Sequence, residues 1–274
     1  MTKPVILVPT DFTPIGESAT NYAQQLAKIL HASVTMFHVV SKDKELPMAE
    51  AALQTIASNL STSGVEANTH VAVGNIFDDI GEVAKTLDAK LIVMGTHGVK
   101  GMQHIMGSKA LKVITNSDVP FIVVQNKPLK PEGFKTIVIP LNFQQEVKQS
   151  IKYAWEIGKY FNAKIHIVYL KEKDPFIAAK IERNIPYAQE LLEENGVSYE
   201  ITGIEKNNFE KDLCQFSEKE NADLITIINN QENIFTYFGG SFEQSVIGNE
   251  QEIPVLVINA IHLKAAYSFS IYFG

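Results

Sequence analysis

The residues best suited to chemistry form one glycine-rich run, Met94-Gly95-Thr96-His97-Gly98-Val99-Lys100-Gly101-Met102-Gln103-His104-Ile105-Met106-Gly107-Ser108. Glycines at 95, 98 and 101 let bare backbone approach a ligand where a Cβ would obstruct it. Gly107 and Ser108 stand where a helix over 108–116 is expected to begin. They would offer unpaired N–H groups and a hydroxyl, a setting that suits an anion. The run is neither a Walker A loop nor a G-x-G-x-x-G fingerprint; on physics alone it is a phosphate cradle or a tight connection. Two other segments follow aliphatic runs and could meet it: Pro9-Thr10-Asp11-Phe12 and His38-Val39-Val40. His97 and His104 lie inside the run. The other histidines (His31, His38, His70, His166 and His262) lack metal-ligand spacing, so no metal site is expected. Neither a Ser/His/Asp order nor a carboxylate pair points to hydrolysis, and Cys214 falls on the apolar side of a helical pattern with Leu213 and Phe216.

The elements that must position these residues alternate. Val5–Val8, Ser33–Val40, Ala67–Val73, Leu91–Met94 and Phe121–Gln125 are short, β-branched or aliphatic runs. Such runs predict strands buried on both faces of a parallel sheet. Between the first two, Ala19, Ala23, Leu26, Ala27 and Leu30 recur at three- and four-residue spacing and predict an amphipathic helix. Further helices are expected over 49–60, 77–87 and 108–116. In a doubly wound sheet of this kind, ligands bind beyond the carboxyl ends of the strands, where the three segments would converge.

The pattern occurs twice. Val8-Pro9-Thr10-Asp11-Phe12 matches Ile139-Pro140-Leu141-Asn142-Phe143, and His31-Ala32-Ser33-Val34 matches Asn162-Ala163-Lys164-Ile165. Ser63-Gly64-Val65 matches Asn195-Gly196-Val197, and Asp88-Ala89-Lys90-Leu91-Ile92 matches Asn221-Ala222-Asp223-Leu224-Ile225. Val119-Pro120-Phe121 matches Ile253-Pro254-Val255. Landmarks in unchanged order with slowly drifting offset identify a tandem duplication. Its linker is expected near 126–134, where Lys-Pro-Leu-Lys-Pro-Glu-Gly collects two prolines and a glycine. Second-half helices are expected over 176–195, 209–220 and 242–249. The expected division is a first domain over 1–126, a second over 135–261 and an aromatic tail over 262–274.

The Pro-Thr-Asp-Phe start, the His-Val closing the second run and Met-Gly-Thr-His-Gly…Gly-Ser before Val119-Pro120-Phe121-Ile122-Val123-Val124 resemble the universal stress protein superfamily, in two copies across nearly the whole chain. The resemblance implies an α/β fold of two tandem doubly wound, five-stranded parallel-sheet domains of the adenine nucleotide alpha hydrolase-like type. It also implies that these domains pack as a pseudo-dimer through their fifth strands. The residues it implies for ATP or AMP, with Mg²⁺ accompanying ATP, are Pro9, Thr10, Asp11, Val39, Met94, Gly95, His97, Gly98, Gly107 and Ser108. Asp11 and Val39 would serve the adenosine end, and the glycine loop the ribose and phosphates. The family's pattern is Gly-x2-Gly-x9-Gly-Ser/Thr, whereas Val99–Met106 supply eight residues between Gly98 and Gly107. In the second half Ile228 stands for Gly95, Gln231 for Gly98 and Asn142 for Asp11, and only Gly240-Ser241 is retained. That half is expected to bind no nucleotide.

Charge points the same way. Residues 1–130 hold 11 Lys and 11 Asp+Glu, whereas residues 131–274 hold 13 Lys+Arg and 20 Asp+Glu, the source of the chain's net charge of −7. This balance argues against nucleic acid as a partner. No apolar run approaches the roughly 18–20 residues of a membrane span, so no membrane partner is expected. A single cysteine and a proline and an acid near the start predict a reducing, cytoplasmic setting without a signal peptide. The expected function is a stress-response sensor or regulator that binds adenine nucleotide and acts through conformation and partners, as a homodimer of tandem chains and without dedicated catalysis. The alternatives are a nucleotide-independent scaffold with vestigial pockets and a slow ATPase.

Overall fold

The computed structural model describes residues 3–96, 113–114, 117–141, 147–205, 208–229 and 242–259. They fall into two compact units that divide between Pro131 and Glu132. The first unit runs β1 (Val5–Pro9), α1 (Pro14–Leu30), β2 (Ser33–Val40), α2 (Leu46–Thr62), β3 (Ala67–Val73), α3 (Ile76–Thr86), β4 (Ala89–Gly95) and β5 (Phe121–Val124). Its strands lie in the order β3-β2-β1-β4-β5, and the pairings β1–β2, β1–β4, β2–β3 and β4–β5 are all parallel. From β1 the chain steps outward to β2 and β3, then returns to β4 on the other side. The β1/β4 border is therefore the topological switch point, where open α/β sheets gather their ligands.

The second unit repeats the plan with β6 (Thr136–Leu141), α4 (Val147–Phe161), β7 (Lys164–Lys171), α5 (Pro175–Glu194), β8 (Tyr199–Glu205), α6 (Phe209–Lys219), β9 (Leu224–Asn229), α7 (Phe242–Ile247) and β10 (Val255–Asn259). Its strand order, β8-β7-β6-β9-β10, is that of the first unit. Its pairings are parallel as well. The expected duplication and α/β architecture are thus present in the folded chain.

Local chemistry accounts for the elements. Thr13 caps α1 by accepting a hydrogen bond from the Gly16 N–H, Pro14 fills the first turn where no N–H partner is needed, and His31 closes the helix in a left-handed conformation at φ 52°. Asp174 caps α5 by accepting from the Phe176 and Ile177 N–H groups. The predicted apolar stripe of α1 is buried, including Ala19, Ala23, Leu26, Ala27 and Leu30, and the helix packs on β1, β2 and β4. Burying each larger aliphatic side chain is worth about 1.5–3 kcal/mol. Among the described residues no helix is long and apolar enough to cross a membrane.

One expectation needs correction. Ala67–Val73 was expected to be buried on both faces, yet β3 is half-exposed along its length, with Asn68 and Val73 open to solvent. It is the outermost strand, so one row of its backbone groups faces away from the sheet. The matching β8 shows the same burial pattern. The helix expected over 108–116 falls largely outside the described residues, as does the 262–274 tail.

Candidate functional site at the strand ends of the first unit

The site is built on the turn that leaves β1. Pro9 and Thr10 are buried and Asp11 is exposed. The Thr10 N–H donates to the Phe37 carbonyl at 2.9 Å, continuing the β1–β2 ladder by one residue. The Thr10 carbonyl accepts from His38 Nδ1 at 2.7 Å. Because a carbonyl can only accept, Nδ1 is the protonated donor in this bond. The ends of β1 and β2 are thereby tied together by side chain as well as by backbone.

Beyond Thr10 the chain turns sharply. Phe12 adopts φ 61°, a left-handed conformation unusual for a bulky residue. Its N–H is held by Thr10 Oγ1 at 3.1 Å, and its ring meets the His38 ring at 4.5 Å between centroids. Asp11 Oδ1 accepts from both the N–H (3.1 Å) and the hydroxyl (2.5 Å) of Thr13. The carboxylate is thus oriented by the residue that caps α1, and its second oxygen stays at the surface.

Two glycines pin this turn against the rest of the sheet. A Cβ on Gly16 would stand 2.8 Å from Thr10 Oγ1 and 3.2 Å from Asp11 Oδ1. A Cβ on Gly95, at the end of β4, would stand 2.5 Å from the Ile15 carbonyl oxygen. Real Cβ atoms do not approach that closely, so Gly95 is required for the close packing of β4 on the first turn of α1. This demand exists whether or not a ligand is present, and it adds to the reading of Gly95 as a ligand-approach residue. Asp11 and Gly95, 84 positions apart in the chain, meet on either side of Ile15–Gly16.

Of the residues singled out in the sequence, Pro9, Thr10, Asp11, Val39, Met94 and Gly95 lie at carboxyl ends of the adjoining strands β2, β1 and β4. Val39 is half-buried at the end of β2, and Met94 is buried at the end of β4. Thr96 is buried and continues the β4–β5 ladder through its N–H to the Val124 carbonyl at 2.9 Å. His97, Gly98, Gly107 and Ser108 lie outside the described residues. Gly16, Thr13 and the left-handed backbone at Phe12 were missed. The Thr13-Pro14 pair carries a readable cap signal, but nothing in the local pattern marks Gly16.

In the second unit Asn229 closes β9, with Ile228 just before it. Asn229 Nδ2 donates to Asn259 Oδ1 at 2.6 Å in a buried amide pair across the ends of β9 and β10. Cys214 is buried, and burial, with Glu210 nearby, pushes its thiol up to about 12. It is therefore protonated at neutral pH and unsuited to nucleophilic work. Among the described residues no group of three or more His, Cys, Asp or Glu side chains is gathered for a metal.

The model of the Universal stress protein family matches residues 4–125. Universal stress protein MJ0531 of Methanocaldococcus jannaschii is 32% identical over 142 residues, spanning 46% of this chain and 83% of that protein. Universal stress protein G of Salmonella typhimurium is 32% identical over 77 residues, and the match spans 54% of its length. A crystal structure of a universal stress protein from Archaeoglobus fulgidus superposes with a TM-score of 0.76 at 19% identity, covering 93% of this chain and 98% of that one. The strand-end motifs, the repeated fold and these relatives lead to one conclusion: the chain belongs to the universal stress protein family.

Proposed function

We propose that the first unit binds an adenine nucleotide, ATP or AMP, and that the protein acts as a regulator whose conformation or partner binding depends on that occupancy. The observation that carries this reading is the approach of Asp11 and Gly95 to the first turn of α1, with Val39 at the carboxyl end of the adjoining β2. Asp11 is held by Thr13 with one oxygen at the surface, suited to accept from hydroxyl or amino groups of the adenosine end. Gly95, Gly98, Gly107 and Ser108 would follow the ribose and phosphates, and Mg²⁺ would arrive with ATP. The second unit serves as a structural and interacting partner. We place the protein in the cytoplasm, as a homodimer of tandem chains, and assign it no dedicated catalysis.

The test is calorimetric titration of the purified chain with ATP and AMP, after any co-purified nucleotide has been removed and identified. We expect saturable binding that Gly98→Val abolishes, with the thermal melt of the variant unchanged. A wild-type chain that binds neither nucleotide favours the second reading, a scaffold with vestigial pockets. The eight-residue Gly98–Gly107 spacing is the observation behind that alternative.

A further inference from the structure

A cavity of about 280 Å³ opens between α1 and α2, on the flank of the strand-end site. Glu17, Asn21 and Gln24 line it from α1 at positions i, i+4 and i+7, one continuous stripe of that helix. Ile56, Asn59 and Leu60 line it from α2, and Phe12 stands at the end nearer β1. Neighbouring helices ordinarily face each other with apolar side chains. Here the stripe is polar, and its groups are not spent on one another. The Gln24 amide donates to Ser63 Oγ at 2.7 Å, and no side-chain hydrogen bond involves Glu17, Asn21 or Asn59 among the described residues.

We propose that this cavity is a binding site for a small, uncharged polyhydroxy molecule of sugar-ring size. Each Asn side chain offers a donor and an acceptor side by side, matching the double role of a hydroxyl, and Glu17 adds two acceptors for hydroxyl protons. Ile56 and Leu60 supply an apolar strip for the C–H face of a ring. No lysine or arginine is in the lining, so a phosphate or carboxylate group would face Glu17 without a counter-charge. The volume lies just below the range of about 300–1,000 Å³ typical of drug-sized ligands, the scale of a single ring. The site shares Thr10, Phe12 and Thr13 with the edge of the nucleotide reading but needs none of the glycine loop.

The test is ligand-observed saturation-transfer NMR on the full chain, with D-ribose, D-glucose and myo-inositol as probes and inorganic phosphate and putrescine as charged counter-probes. At least one polyol should bind with a Kd on the order of 1 mM, and Asn21→Leu and Asn59→Leu should each weaken it by about tenfold or more. Both positions sit on a solvent-facing cavity wall, and a thermal melt confirms that each variant is folded. Gly98→Val should leave polyol binding unchanged, which keeps this outcome distinct from that of the nucleotide site. Three results overturn the proposal: no polyol binding at about 20 mM, binding that both leucine variants retain, or binding of putrescine alone.

Discussion

In the first unit His38 reaches back to the Thr10 carbonyl and ties β2 to the β1 turn. At the matching place in the second unit stands Tyr169, whose ring turns the other way and lies across β8. A Cβ on Gly203 would meet its Cζ at 2.7 Å. The end of β4 carries Gly95 and accommodates the α1 backbone, whereas the end of β9 carries Ile228 and then a buried amide pair. Both units have the same strand order and the same sequence of elements, so these differences cost the fold little. The comparison teaches that the framework and the site are specified by different residues. Aliphatic strand interiors make the framework, and a few positions at the strand ends set the two units apart.

The largest expected effect comes from moving a second-unit residue into the first. Gly95→Ile should abolish nucleotide binding and destabilise the first unit by about 1–3 kcal/mol, because the new Cβ meets the Ile15 carbonyl and the start of α1 must move. Urea denaturation and calorimetry check both parts, and unchanged stability would show that the close approach is not needed. Breaking the amide pair is next. Asn229→Leu removes the donor to Asn259 Oδ1 within a buried pair and should cost about 1–3 kcal/mol. The double variant Asn229→Leu/Asn259→Leu should cost less than the sum of the single variants, as a thermodynamic cycle would measure. Stoichiometry sharpens the same contrast: titration should find one nucleotide per chain, and two equal sites would refute the loss assigned to the second unit. Asp11→Asn supplies the amide of the second half. Its carbonyl can still accept from Thr13, so stability should change by less than about 0.5 kcal/mol while nucleotide affinity falls.

Much of this was legible before the structure. The repeat and the aliphatic runs foretold the strands, their parallel sheet and the strand ends where Thr10, Val39 and Gly95 gather, because burial on both faces leaves a mark on composition. β3 misled because Ala-Asn-Thr-His-Val-Ala-Val reads as a strand without revealing that it would be outermost. Gly16 and the packing demand on Gly95 were invisible for another reason: close approach of two backbones is a tertiary event with no period in the chain. The α1–α2 cavity was hidden likewise. Glu17, Asn21 and Gln24 look like an ordinary solvated helix face until α2 is placed opposite.

The smallest effect is a pH dependence confined to the second unit. His166 on β7 occupies the place of Thr35 on β2, and it is buried with its Nδ1 lacking a hydrogen-bond partner. Burial lowers its pKa from 6.5, and Lys164 on the same strand lowers it further. Glu220, beyond α6, and Glu200 on β8, whose Oε2 lies 3.6 Å from Nδ1, oppose the shift without cancelling it. Phe216 of α6 covers the ring edge-on. The folded chain therefore holds His166 neutral at pH values where the unfolded chain has already taken up a proton. The associated stability is complete above about pH 6.5 and declines as pH falls toward the lowered folded value. Glu200, held below its ordinary 4.5 by Lys164, contributes a second loss only at more acid pH, so the two windows separate. His166→Thr, which installs the first unit's residue, should flatten the stability profile below about pH 6.5, by less than one proton's worth of slope. Urea midpoints across that range measure it, and a wild-type slope that survives the substitution would assign the acid sensitivity to other groups.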